Sequence, residues 1–192
     1  MTPTIHLATG NPDKVHELRR LLSSHEVVPA PPGFDPEETG TTLFQNALIK
    51  AEALRPEVEP EAIVVADDSG LSVHSLGGRP GVFSSRYAGP DATYEDNCRR
   101  LMEELDGRDD RRAAFVTVLV ALMPGGGSLV GCGTCAGTIT PAMRGESGFG
   151  YDPVFLPQGE ERTMAQLTTD EKAAISHRGR AARRLAGLLM NS

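Results

Sequence analysis

The sequence is poor in aromatic residues and in basic charge. It has no tryptophan, and only 5% of its residues are aromatic, so the core must be built mainly from aliphatic side chains. Lysine and arginine number 19 against 26 aspartates and glutamates, which gives a net charge of −7. Because a surface of that sign repels phosphate backbones at long range, we expect no nucleic-acid partner and no anionic membrane partner. A local cationic pocket or a bound metal can still attract a small anion.

Cysteines and long apolar runs are also scarce. The three cysteines cannot form a disulfide framework without leaving one over. The CxxC spacing of Cys132 and Cys135 lies in a strand-like stretch and has no second pair, so neither a redox motif nor a zinc site is indicated. The longest near-apolar run, 113–123, is 11 residues long, whereas a membrane span needs about 20. With no signal-peptide pattern at the N-terminus, we expect a cytoplasmic protein.

The length of 192 residues predicts one domain over 1–192, with at most two small lobes. Strand-like runs at 5–8 and 62–66 alternate with helical patterns, and a long hairpin joins 113–123 to 129–139 through a Gly-rich turn. Alternating helices and strands combined with a hairpin are typical of an α/β fold with a mixed sheet.

Helix starts are marked by capping signals. Asn11 followed by Pro12 begins the first helix, and capping boxes at Thr42-x-x-Gln45 and Thr168-x-x-Glu171 begin two others. A further helix is expected over 93–105. For the second and last helices we predict these inward-facing residues: Phe44, Ala47, Leu48 and Ala51, and then Ala181, Leu185, Leu188 and Leu189.

The first candidate site is the strand-to-helix junction Thr9-Gly10-Asn11-Pro12-Asp13-Lys14. Free N–H groups and the positive end of the helix dipole gather at such a junction, and Lys14 adds a cation, so the segment can bind an anion. An ordinary capped helix start explains the same residues. The phosphate-binding motif GxxxxGK[ST] occurs nowhere in the chain.

The second candidate site is Asp67-Asp68-Ser69-Gly70, which we expect at the end of a buried strand. Adjacent side chains of an extended chain point to opposite sides, so one carboxylate can face a ligand while the other braces the loop. Glu37 and Glu38 can join Asp68 around a hard divalent cation such as Mg²⁺. A plain turn and a solvated acidic loop are the competing interpretations.

The third and fourth candidates lie near the C-terminus. A flat ligand can stack on Phe149 or Tyr151 in the segment Gly148-Phe-Gly-Tyr-Asp-Pro153, although a tight loop pinned by aromatic packing fits equally well. Lys172, with His177 and Arg178 at a weak point of the helical pattern, suits an anionic or oxo-bearing ligand. A solvated basic face is the alternative.

Taken together, these segments resemble the Ham1-like family of inosine/xanthosine triphosphate pyrophosphatases. The matching stretches follow the family's order over nearly the whole chain, and their combination is far more specific than any one of them. They are Thr9-Gly-Asn-Pro-Asp-Lys14, Glu37-Glu-Thr-Gly40, Asn46-Ala47 with Lys50-Ala51, Ala66-Asp-Asp-Ser-Gly70, Gly77-Gly-x-Pro-Gly81, Ser85-Arg-Tyr-Ala-Gly89, Gly148-Phe-Gly-Tyr-Asp-Pro153 and Ser176-His-Arg-Gly179. Leu43 and Gln45 stand where the family usually has Phe and Glu.

The resemblance implies an elongated, two-lobed α/β fold whose central mixed β-sheet is flanked by helices, with an active-site cleft between the lobes. It also implies a homodimer and Mg²⁺-dependent hydrolysis of ITP, dITP and XTP to the monophosphate and pyrophosphate, which removes them from the nucleotide pool. The implied catalytic residue is Asp68, which is also a metal ligand together with a glutamate of the pair Glu37 and Glu38.

The resemblance also implies a set of substrate-binding residues. Those for the triphosphate are Thr9, Gly10, Asn11, Pro12, Asp13 and Lys14, with Ser69 as a further contact. Those for the nucleotide, chiefly its base end, are Phe149, Gly150, Tyr151, Asp152, Lys172, His177 and Arg178.

Two other functions stay open at this point. A Maf-like nucleotide pyrophosphatase would prefer other modified or pyrimidine nucleotides. A nucleotide-binding sensor without catalysis is the alternative from another class, although Asp68 and Lys14 argue against it.

Overall fold

The computed structural model of the protein describes residues 3–191. Within these residues the chain forms seven strands and five α-helices. The strands are β1 (Ile5–Leu7), β2 (Val27–Pro29), β3 (Ile63–Val73), β4 (Pro80–Gly81), β5 (Arg112–Leu122), β6 (Ser128–Ile139) and β7 (Phe155–Pro157). The helices are α1 (Pro12–Leu21), α2 (Leu43–Leu54), α3 (Tyr94–Glu104), α4 (Thr169–Ile175) and α5 (His177–Leu189).

The seven strands form one mixed sheet. β1 pairs in parallel with both β2 and β3, and the order continues from β3 through β5 and β6 to β7. The short β4 pairs antiparallel with β3, and β7 pairs antiparallel with β6. The predicted α/β fold with a mixed sheet is therefore confirmed.

The chain divides into two compact units, and three long strands contribute residues to both. Unit 1 contains the described residues up to Asp68, Thr117–Gly133 and the residues from Arg178 onward. Unit 2 contains Ser69–Val116 and Thr134–His177. The expectation of a single domain over 1–192 stays a prediction.

Unit 1 has helices on both faces of its part of the sheet. Because side chains alternate along a strand, Ile63 and Val65 of β3 pack with apolar residues of α1 and α5, whereas Val64 and Ala66 pack with residues of α2. Among the described residues of this unit, no buried side chain is aromatic. Unit 1 thus has the aliphatic core that the composition predicts.

Unit 2 holds the buried aromatic side chains. Its core joins Leu101 of α3 to Phe115 of β5 and Phe155 of β7. The rings of Phe115 and Phe155 have centroids 4.6 Å apart.

None of the helices formed by residues 3–191 has both the length and the hydrophobicity that a membrane span requires.

Two local predictions were wrong. Phe44 is 41% exposed, because α2 turns Asn46 and Lys50 inward instead. Leu188 is 38% exposed, since Ala182 rather than Leu188 completes the buried face of α5. The predicted weak point of the helical pattern near His177 is present as a break at Ser176, the C-cap of α4, and a new helix begins at His177.

Candidate active site

The two adjacent aspartates lie inside a strand rather than at its end, which corrects the sequence prediction. β3 runs without a break through Asp67 and Asp68 to Val73. A Ser-Gly pair often ends a strand, but here antiparallel pairing with β4 aligns Leu71 with Gly81 and so extends β3. The predicted opposite orientation of the two carboxylates is confirmed, since each contacts a different set of partners.

Asp67 lies at the centre of a buried ion cluster in unit 1. Its Oδ1 is 3.2 Å from Lys14 Nζ, and its Oδ2 is 3.3 Å from Arg178 Nε. Arg178 also donates to Glu17 Oε2 at 2.6 Å. Burial by itself raises the pKa of Asp67, but the adjacent Lys14 and Arg178 cations outweigh it and hold that pKa well below its usual range. We call Lys14, Glu17, Asp67 and Arg178 the Asp67 cluster.

Asp68 belongs to a second cluster, also in unit 1. Lys50 Nζ lies 3.3 Å from Asp68 Oδ1 and 2.7 Å from Glu38 Oε1, while Asn46 Nδ2 donates to Asp68 Oδ2 at 3.3 Å. Burial raises the pKa of Asp68, and the neighbouring lysines offset this only in part. A carboxyl group with a raised pKa is a better proton acceptor near neutral pH than an ordinary one. We call Glu38, Asn46, Lys50 and Asp68 the Asp68 cluster.

The predicted anion site at the start of α1 is largely occupied by its own cap. The side chain of Asn11 accepts hydrogen bonds from the backbone N–H groups of Asp13 at 2.9 Å and Lys14 at 3.3 Å. Thr9 in turn accepts from the backbone of Asn11. The capped start that the sequence also allowed is therefore present, and the ammonium of Lys14 is the clearest cationic group that this segment supplies.

The local backbone structure explains why glycine stands at position 10 and proline at position 12. A Cβ at Gly10 would lie 2.7 Å from the carbonyl oxygen of Phe34, so the close approach of these two backbones requires glycine. Pro12 occupies the first position of α1, where its missing N–H costs no hydrogen bond.

The acidic loop before α2 contributes Glu38 more clearly than Glu37. Glu37 is exposed, whereas Glu38 is partly buried and bonded to Lys50. Among residues 3–191 no group of three or more His, Cys, Asp and Glu side chains could hold a metal ion. The carboxylates of Glu38 and Asp68 nevertheless suit Mg²⁺, which takes one or two protein carboxylates and completes its shell with water and phosphate oxygens.

In unit 2, the Gly-rich segment presents Phe149 and buries Tyr151. Tyr151 is 3% exposed and its hydroxyl donates to the carbonyl of Ser84 at 2.9 Å, so this ring fixes the loop. Phe149 is only partly buried, and the ammonium of Lys172 lies 4.8 Å from its ring centroid. Of the two rings that the sequence offered for stacking on a base, the structure favours Phe149.

Asp152 ties this loop to α4. Its Oδ2 accepts from the backbone N–H of Phe149 at 2.9 Å and from Lys172 Nζ at 2.6 Å. Gly148, with φ of +77°, comes so close that a Cβ there would lie 2.1 Å from the same oxygen. The segment that we call the aromatic loop, Gly148–Pro153 in the sequence, is therefore held by a buried ion pair.

His177 and Arg178 do not act as one cationic pair. The ring of His177 stacks on Phe115 with centroids 4.5 Å apart and planes 9° from parallel. The guanidinium of Arg178 is directed to Asp67 and Glu17 instead. Ser69, predicted as a substrate contact, is partly buried and directly follows Asp68 in β3.

From the sequence, Asn46 and Lys50 were recognised only as matches to the family, and no role was predicted for Glu17. Helical periodicity gave no signal for the first two, because the carboxylates that draw Lys50 inward lie in other segments of the chain. Glu17 carried no signal either, since its partner Arg178 lies 161 residues away.

Comparisons with a family model and with related sequences identify the same protein family. The model of the Ham1 family matches residues 5–188. The dITP/XTP pyrophosphatase of Treponema denticola is 46% identical over 183 residues, covering 92% of this chain and 93% of that protein. The dITP/XTP pyrophosphatase of Bacillus subtilis is 44% identical over 197 residues and covers 95% of each.

Solved structures agree with these sequences. The Staphylococcus aureus Ham1 protein superposes with a TM-score of 0.86 at 39% identity, covering 98% of both chains. A HAM1 protein from Coxiella burnetii gives a TM-score of 0.85 at 38% identity, covering 99% of this chain and 100% of that one. With the family match extending over nearly its whole length, the chain belongs to the Ham1 family.

Proposed function

We propose that the protein hydrolyses the non-standard purine triphosphates ITP, dITP and XTP to the monophosphate and pyrophosphate in a Mg²⁺-dependent reaction. Membership of the Ham1 family and the names of its relatives, dITP/XTP pyrophosphatases, support the substrate class. The observation that carries the chemistry is the Asp68 cluster, in which one ammonium joins two carboxylates. A purine triphosphate bound with a divalent cation would bring a cation to the two carboxylates of this cluster and phosphate charge to its ammonium.

Asp68 is the proposed general base. Its carboxylate takes the proton from a water that attacks the α-phosphorus, while the bond from that phosphorus to the oxygen bridging to the β-phosphorus breaks and pyrophosphate leaves. Asn46 and Lys50 each donate to one oxygen of this carboxylate, which fixes its orientation. The raised pKa of Asp68 brings its basicity closer to neutral pH.

The triphosphate end is proposed to lie at the start of α1 and at the Asp68 cluster. Lys14 and Lys50 offset phosphate charge, the segment 9–14 with Ser69 contacts the substrate, and Glu38 with Asp68 holds Mg²⁺. When bound, this ion neutralises charge on the phosphate oxygens and stabilises the leaving pyrophosphate. Arg178 acts here through Asp67, to which it is bonded.

The base end is proposed to lie at the aromatic loop. Phe149 stacks on the purine, with Gly150 and Tyr151 shaping the loop around it. Donors from Lys172, His177 or the backbone meet the 6-oxo group of hypoxanthine or xanthine, and Asp152 holds Lys172 in place. Adenine has an amino donor at this position, so ATP would leave a donor of the site facing another donor, which is a strong means of rejection.

We further propose that the enzyme is a homodimer acting on the cytoplasmic nucleotide pool. Light scattering coupled to size-exclusion chromatography tests the dimer: a mass near 41 kDa, twice the 20.5 kDa of one chain, is expected. A mass of one chain at micromolar concentration would contradict it.

One assay tests the function. ITP, dITP, XTP, ATP, GTP and a pyrimidine triphosphate are each offered with and without Mg²⁺, and pyrophosphate is scored against orthophosphate. Pyrophosphate release with the highest kcat/KM for the 6-oxo, non-standard purines is expected, and only with Mg²⁺. Preference for a pyrimidine would favour a Maf-like specificity, and binding without hydrolysis would indicate a sensor. Either result would overturn the proposal.

A further inference from the structure

Helix α3 contacts the aromatic loop through two residues on one helical face. Tyr94 and Cys98 are four positions apart, so their side chains are neighbours on the helix surface. The ring of Tyr94 lies 5.9 Å from that of Phe149 between centroids, inclined at 43°. The thiol of Cys98 donates to the carbonyl of Gly150 at 3.4 Å. Two consecutive loop residues are therefore held by consecutive turns of α3.

These two contacts act on different parts of the loop. The backbone of the loop is fixed by Cys98 at Gly150 and by Asp152 at the N–H of Phe149. The ring of Phe149 is instead flanked by the ammonium of Lys172 and by the ring of Tyr94. Removing the Tyr94 ring should leave the backbone in place while allowing the Phe149 ring to change orientation.

Tyr94 is itself well positioned for this task. It is the first residue of α3, directly after the capping box in which Thr93 and Asp96 bond reciprocally at 2.9 and 3.1 Å. At the same time Tyr94 is 42% exposed, so the core needs little of its surface. An exposed aromatic side chain on a fixed helix start is suited to orient a neighbouring ring.

We propose that Tyr94 is a positioning residue for the base end of the site. Its ring holds Phe149 in the orientation in which Phe149 stacks on the purine. This inference rests on the proposed function and extends it by assigning a determinant of base binding that lies outside the aromatic loop.

The test is steady-state kinetics of ITP hydrolysis by the full chain and two variants. Tyr94→Ala should raise KM about three- to tenfold, the range that one aromatic pair supplies, with kcat within about twofold. Tyr94→Phe retains the ring and should match the wild type. Inhibition by tripolyphosphate, which has phosphates but no base, should be the same in all three proteins.

Controls separate positioning from damage to the fold. Phe83→Ala removes another exposed ring of unit 2, one that is 57% exposed, and should leave KM unchanged. If Tyr94→Ala unfolds at a lower temperature than the wild type, Tyr94→Leu replaces it in the test. Leucine keeps an apolar side chain without a π face, so this variant should show the same rise in KM. An unchanged KM in Tyr94→Ala and Tyr94→Leu would overturn the inference, as would a Tyr94→Phe variant as impaired as Tyr94→Ala.

The wild type alone tests the function on which this rests. A wild-type protein that neither binds nor hydrolyses purine triphosphates would overturn both proposals. Wild-type hydrolysis of ITP combined with wild-type KM in the alanine variant would overturn only the role of Tyr94.

Discussion

At the scale of single residues, the two neighbouring aspartates of β3 have different electrostatic surroundings. Asp67 is fully buried between two cations, and its pKa is held low. Asp68 shares one ammonium with Glu38, and its pKa is raised by burial. Asp67 is thus enclosed by two cations, whereas Asp68 has the raised pKa that suits the general base proposed above.

The first prediction concerns Asp68. Asp68→Asn keeps the size of the side chain and its contact with Lys50 but removes the proton acceptor. We expect kcat for ITP to fall by about 100-fold or more, within the range of general-base catalysis. Pyrophosphate release measures this, and turnover close to that of the wild type would exclude Asp68 from the role.

The second prediction concerns Asp67. Asp67→Asn leaves Lys14 and Arg178 buried beside a neutral group, and breaking a buried pair typically costs 3–5 kcal/mol, so a loss of about 3 kcal/mol in the free energy of unfolding is expected. Urea denaturation measures it, with Asp68→Asn as the matched neighbour. Equal stability losses in both variants would contradict the division of roles.

At the scale of elements, the caps were predictable and the helix faces were not. Asn11, Thr42 and Thr168 cap their helices as the sequence indicates, because capping depends on residues three apart. For α2 the wrong face was predicted to point inward, because Phe44 is more apolar than Lys50. The carboxylates that draw Lys50 inward come from other segments, so helical periodicity could not reveal them.

A third prediction tests the aromatic loop as an element. At Gly148 a Cβ would meet both Asp152 and Lys172, whereas at Gly150, with φ of +62°, nothing lies within 4 Å. Both alanine variants carry backbone strain, but only Gly148→Ala adds a clash. Because the clash adds to strain of order 1–3 kcal/mol that both variants share, we expect KM for ITP to rise about tenfold in Gly148→Ala and less in Gly150→Ala. Equal effects would show that the ion pair of Asp152 is not what fixes the loop.

At the scale of the whole molecule, alternating helices and strands together with a central hairpin were enough to predict the α/β class and the mixed sheet. The sequence did not predict the single long β3, because local Ser-Gly chemistry indicates a turn and only pairing with β4 overrides it. It also did not separate His177 from Arg178, since adjacent residues diverge only when tertiary partners such as Phe115 and Asp67 are known.

A fourth prediction concerns stability in alkali. Burial raises the pKa of the Cys98 thiol from 9.0 to about 12. Between these values the unfolded chain loses a proton that the folded chain keeps, so the free energy of unfolding should fall as pH rises, by about 1 kcal/mol per pH unit from this group. Urea denaturation at pH 8, 9 and 10 measures the slope. Cys98→Ala should be less steep, and an identical slope would contradict this assignment.

The uninterrupted course of β3 restricts which changes of chain length this protein can tolerate. Side chains change faces at every step of a strand, so deleting or adding one residue upstream of Asp67 within β3 would turn both aspartates to the opposite face of the sheet and away from their present partners. Asp68, the proposed general base, would then lie on the face of Lys14 and Arg178, and Asp67 would lie on the face of Lys50. Length variation should therefore be confined to connections away from the site, such as the exposed turn between β5 and β6, rather than to β3.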